Sequence, residues 1–149
     1  MILRRRGNTD DMKKKFFICG LTGWCLEILY TSLGCFRKKD YRLTGRTSVW
    51  MFPIYGMAAL IAPVYQKIKG VPRLFRGLLY SAAIFVCEYV SGSILKRHNM
   101  CPWDYSDCPL QYQGVIRFDF APLWFLTGLL FERVILCRSG DQNSEFSQN

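Results

Sequence analysis

The residues with chemistry to offer are two glutamates set in apolar surroundings, Glu27 and Glu88, and a cluster that comes after the second of them, Trp103-Asp104-Tyr105. An ionisable side chain in lipid costs roughly 2.5 to 3.5 kcal/mol at the centre of a span, so it faces a protein interior or a wet cavity and finds a partner there. Carboxylates so placed can bind a cation, exchange a proton, or act as general acid and base. Two of them close together cannot both stay ionised. The expected site is a polar chamber open to the outer face of the membrane. Glu27 and Glu88 form its floor, Trp103, Asp104 and Tyr105 its lid, Arg46 and Arg117 supply counter-charge, and Tyr55 lies beside it. The competing reading for each glutamate is a helix fastener, protonated or paired with an arginine. For Trp103-Asp104-Tyr105 it is an interfacial aromatic belt with a turn.

Other chemistries leave no trace. The sequence has no phosphate-binding glycine loop, no G-x-S-x-G and no H-E-x-x-H. Its seven cysteines show no metal-ligand spacing and the lone His98 sits beside Lys96 and Arg97, so neither a metal nor a cofactor is expected. Cys101 and Cys108 flank CPWDYSDC, and a disulfide between them is open if that loop lies outside the cell.

The elements that must hold these residues are four apolar blocks, 16–36, 49–68, 74–95 and 118–137, each near the ~20 residues a spanning helix needs. The expected fold is an all-α integral membrane four-helix bundle over residues 16–137, with a basic cytoplasmic segment over 1–15 and a flexible polar tail over 138–149. The net charge of +9 reads as topology rather than as nucleic-acid binding, because the bases sit between the blocks. Twelve Lys and Arg fall before the first block, between the second and third, and at the end of the last; eight fall in the other two gaps. That bias puts both termini in the cytoplasm, and the plasma membrane is the expected location. Glu27 inside the first block, and the absence of an A-x-A-like site after it, argue against a cleaved signal peptide.

In the first block Gly20, Gly23, Glu27, Thr31 and Gly34 share one helix face, a seam along which a neighbour can approach closely. The third block repeats the device with Ser81, Glu88, Ser91 and Gly92. Glu132, beside Arg133, is expected to snorkel or pair near the cytoplasmic end. An internal comparison suggests a tandem repeat of two transmembrane hairpins. Cys25-Leu26-Glu27 with Tyr30 resembles Cys87-Glu88-Tyr89, and 45–56 aligns with 114–125 without gaps, matching Gly45 to Gly114 and Pro53 to Pro122.

Four segments together carry a family resemblance: Gly23-Trp24 with Glu27, Pro53-Ile54-Tyr55-Gly56, Glu88-Tyr89-Val90-Ser91-Gly92, and Cys101-Pro102-Trp103-Asp104-Tyr105-Ser106. They resemble the transmembrane protein 229 family and its bacterial relatives, the ABC-transporter type IV (CmpB-like) membrane proteins, over about residues 16–133. The resemblance implies a small multi-helix membrane protein and points to Glu27, Pro53, Tyr55, Gly56, Glu88, Gly92, Trp103, Asp104 and Tyr105. The bacterial relatives carry a base straight after the glycine that here is Gly114. This chain has Val115 there and Arg117 two residues on.

The leading expectation is therefore a permease-like membrane component in the lipid bilayer. A thin four-helix unit would work as a homo-oligomer or with a partner membrane subunit, and any ATPase motor would be a separate chain. The alternatives are an intramembrane lipid-modifying enzyme using Glu88 and Asp104 as acid and base, and a non-catalytic scaffold or sensor.

Overall fold

The computed structural model describes residues 2–37 and 39–145, with side chains described over 9–35 and 39–137. Helix α1 covers Ile2–Arg37. It takes in the basic segment, where Lys15 meets Asp11 at 2.6 Å one turn away and Lys13 lies 3.7 Å from Asp10, pairs that support a helix at this spacing. A short helix α2 (Met51–Gly56), a 3-10 turn (Met57–Leu60) and helix α3 (Ile61–Ile68) come next. Helix α4 covers Arg73–Arg97, and after a small antiparallel hairpin, β1 (Gln111–Tyr112) with β2 (Ile116–Arg117), helix α5 covers Ala121–Glu145. Helix α5 continues through residues expected to form a flexible tail.

Four helical segments match the expected four, and the all-α class holds. Three of them, Thr9–Cys35, Arg73–Arg97 and Phe118–Cys137, are long and apolar enough to cross a membrane. The expected second span is not one long helix. Pro63 has no N–H to bond back to Ala59 and its ring crowds that carbonyl, so the backbone just before it tightens into the 3-10 turn that divides α2 from α3.

The chain divides into two compact units, residues 1–59 and 60–149. In the first, α2 packs antiparallel along α1 through Phe52, which meets the rings of Phe16, Phe17 and Trp24 edge-on. In the second, α4 and α5 pair, with Tyr80, Leu95, Phe131 and Ile135 buried, and α3 lies on α5. Many other large apolar side chains on α1, α4 and α5 are exposed, including Phe17, Leu29, Leu33, Leu74, Phe75, Val86 and Leu126, the surface that a helix surrounded by acyl chains presents.

Helix α4 ends by a definite device. Asn99 takes the left-handed conformation (φ 54°), Met100 N–H donates to Leu95 O at 2.8 Å and Asn99 N–H to Lys96 O at 3.1 Å, closing the last carbonyls in a Schellman arrangement. The chain is thereby turned back across the helix end. Gln113 and Gly114 are both left-handed, and Val115 N–H donates to Tyr112 O, so β1 and β2 are joined by a tight turn whose twist suits a hairpin. Gly114 is required there twice over: its φ is 67°, and a side chain would strike Ser106 and the ends of Lys96 and Asp104.

Candidate functional site

In the second unit Glu88 is buried at 8% exposure on the face of α4 turned toward α5 and the returning loop. Trp124 Nε1 donates to its Oε2 at 3.2 Å, and the Tyr105 hydroxyl also hydrogen-bonds the carboxylate. Both donors are neutral. Tyr105, Phe120 and Trp124 form a chain of edge-on rings with centroids 5.8 and 5.9 Å apart, so the wall around the carboxylate is aromatic. No cation pairs with Glu88 among the described residues.

One turn beyond Glu88, Gly92 leaves a notch. The Val115 side chain fills the space that a Gly92 side chain would need, with the Trp103 ring beside it. Trp103 Nε1 donates to Val115 O at 3.0 Å, Lys96 Nζ to Gln113 O at 3.0 Å, and Tyr105 N–H to Gly114 O at 2.9 Å. The loop therefore sits on α4 as a cap, and Val115 is 2% exposed within it. An apolar residue after Gly114 is what this seat requires; a base there would be buried against helix backbone.

The expected lid residues separate. Tyr105 reaches Glu88 and Trp103 closes over Gly92, whereas Asp104 turns to solvent. Its Oδ1 accepts from the Ser106 hydroxyl at 2.6 Å and the Ser106 N–H at 3.0 Å, with Lys96 Nζ 3.8 Å away. Those bonds from Ser106, then Lys96, hold the Asp104 carboxyl below its ordinary range. Beside it, burial pushes the Cys101 thiol up, and its S–H lies 3.2 Å from Trp103 O. Cys101 and Cys108 are both free thiols. Arg117 lies against Asp119 at 2.6 Å and over the Phe120 ring at 4.6 Å, so its charge is engaged by an acid other than Glu88.

In the first unit Glu27 is half-buried and accepts from Thr47 Oγ1 at 3.1 Å. The Thr31 hydroxyl accepts from Arg46 N–H at 2.9 Å and lies 3.0 Å from Arg46 O, which pins the loop backbone to α1. Arg46 itself is exposed, and its guanidinium makes no ion pair among the described residues. Tyr55 packs on Gly23, and Gly56 receives the Phe16 ring. Pro53 and Pro122 each fall in the first turn of a helix, where the missing N–H costs no hydrogen bond.

One cluster carries more than its sequence suggested. Of the two courses expected for Glu132, snorkelling or pairing, it pairs: it is 5% exposed and forms a two-bond fork with Arg76, Nε to Oε2 at 3.0 Å and Nη2 to Oε1 at 2.8 Å. Tyr80 donates to the same carboxylate at 2.6 Å, Arg76 Nη1 donates to Val71 O at 2.8 Å, and the guanidinium lies 5.3 Å from the Tyr65 ring. An acid and a base each inside an apolar span was the available signal. The two buried acids of this unit are thus held differently, one by an arginine and the other, among the described residues, by neutral donors.

The family described as putative ABC-transporter type IV matches residues 14–147, nearly the whole chain. The chain belongs to this family. Its apolar helices are accordingly those of an integral membrane component of the ABC-transporter type. No solved structure matches this member of the type IV family.

Proposed function

We propose that this protein is a permease-like, small-solute-handling component of the plasma membrane, with both termini cytoplasmic, and that Glu88 is its working acid, exchanging a proton as solute moves. The observation that carries the reading is the contrast between Glu132 and Glu88. A carboxylate forked by arginine is a fastener, because breaking the pair strands a charge in a dry interior. A carboxylate met only by an indole N–H and a phenol can be ionised or protonated without loss of its partners, since both donors serve either state. The titratable groups that sense Glu88 are Tyr105 on the cap, Cys87 on its own helix and Cys101 at the start of the cap.

Family membership supports a partner ATPase as a separate chain, since this sequence has no nucleotide-binding loop. The enzyme reading draws less support, because Asp104 is engaged by Ser106 and Lys96 in place of Glu88. The test is proton movement into vesicles loaded with a pH-sensitive dye and reconstituted with the purified chain, under an imposed pH gradient. Flux that Glu88→Gln abolishes and Glu132→Gln does not would support the proposal. Equal flux in wild type and Glu88→Gln, or none in wild type, would overturn it.

A further inference from the structure

The two helical hairpins repeat one another at three packing contacts. The spacing that carries Glu27 to Glu88 along the first helix of each hairpin also carries Phe16 to Gly77, Gly20 to Ser81 and Thr31 to Gly92. The frame that carries Gly45 to Gly114 and Pro53 to Pro122 carries Arg46 to Val115, Phe52 to Ala121 and Gly56 to Phe125. These two frames come from the sequence alone and are independent, because the connecting loops differ in length. Together they name which residues should touch in both hairpins.

They do touch. Phe16 lies on Gly56, with ring carbons 2.6 Å from where a Gly56 side chain would begin; at the corresponding place Phe125 lies on Gly77. Gly20 faces the Phe52 ring at 2.8 Å, and Ser81 Oγ lies 3.3 Å from Ala121 O. Thr31 holds the Arg46 backbone, and Gly92 seats Val115. In the first pair the large and small residues have changed places between helices, which keeps the summed volume and the close approach while reversing which helix carries the ring. In the second pair, one ring against glycine has become two small residues and a hydrogen bond.

We propose that the chain is a tandem duplication of one helical hairpin with its packing pair exchanged, and that Glu27 is therefore a second solute-handling carboxylate, the open counterpart of the capped Glu88. The difference between the copies lies in the loop that leads out of each acid-bearing helix. The second loop is longer and brings Tyr105 to Glu88 and Trp103 over Gly92, whereas Glu27 has Thr47 as donor and stays half-exposed. The role given to Glu27 rests on the reading of Glu88 above; the duplication does not.

The experiment is thermal unfolding of the full chain in detergent. Phe16→Gly leaves a void and Gly56→Phe overpacks, so each should lower the midpoint by about 5 °C or more. The double variant, which writes the second hairpin's order into the first, should recover at least about half of that loss. The reverse exchange, Gly77→Phe with Phe125→Gly, should behave alike and serves if the first set fails to insert. Double variants no more stable than the worse single in both hairpins would overturn the duplication. Glu27→Gln is then read in the vesicle assay: a loss of proton flux supports the second site, and wild-type flux overturns it while the exchange result stands. Absent flux in the wild-type chain would instead overturn the role of Glu88.

Discussion

At the residue scale, the two buried acids of the second unit differ in the charge of their partners, an arginine for Glu132 and neutral donors for Glu88. Glu132 and Arg76 lie on helices that run antiparallel, and their fork is a property of the register between α4 and α5. Arg76→Met should destabilise the protein by several degrees in detergent, because it strands Glu132 among apolar neighbours, and Arg76→Met with Glu132→Met should recover most of that loss. Thermal melts of the wild type and of these two variants check this. Asp104 makes a pH prediction of a different kind. Its folded carboxyl sits below its ordinary range, so the stabilisation it gives the cap is complete above the unfolded value near 3.8 and fades as pH falls through the folded one. Trp103 fluorescence should report loosening of the cap on acidification below about pH 4, and Asp104→Asn should remove that transition while leaving the cap looser at neutral pH.

At the scale of elements, the cap sits on α4 with Val115 and Trp103 at Gly92 and Tyr105 on Glu88. Gly92 is a notch one turn from the acid, and Val115 and Trp103 enter it. Gly92→Val must push both out, so Glu88 should become reactive toward a water-soluble carbodiimide that spares it in the wild type. Mass spectrometry of the labelled protein reads this, with Glu27 as the internal reference. Much of this region was legible from the residues. A lone acid in an apolar run points to Glu88, the small-residue face it shares points to Gly92, and the aromatic cluster just past the run points to Trp103 and Tyr105; the structure gathers all four. Asp104 shared that signal but went elsewhere, because its neighbour Ser106 offers two donors within a tight turn. The Arg76 partnership was not legible, since a pairing between helices depends on a register that spacing within one helix does not contain. The break in the second apolar block had its cause in view in Pro63, but apolar length outweighed it.

At the scale of the whole molecule, three long apolar helices, a fourth divided segment and the family match make this an integral membrane component of the ABC-transporter type. The account of its work rests on Glu88 being a carboxyl that changes protonation with its neutral donors in place. The most direct measurement is pH-difference infrared spectroscopy of the purified protein in lipid. The account predicts a reversible carboxyl band that is absent in Glu88→Gln, shifted in frequency in Tyr105→Phe and in Trp124→Phe because each removes one donor, and unchanged in Asp104→Asn. A spectrum in which no band depends on Glu88, or in which its band is indifferent to both donors, would contradict it.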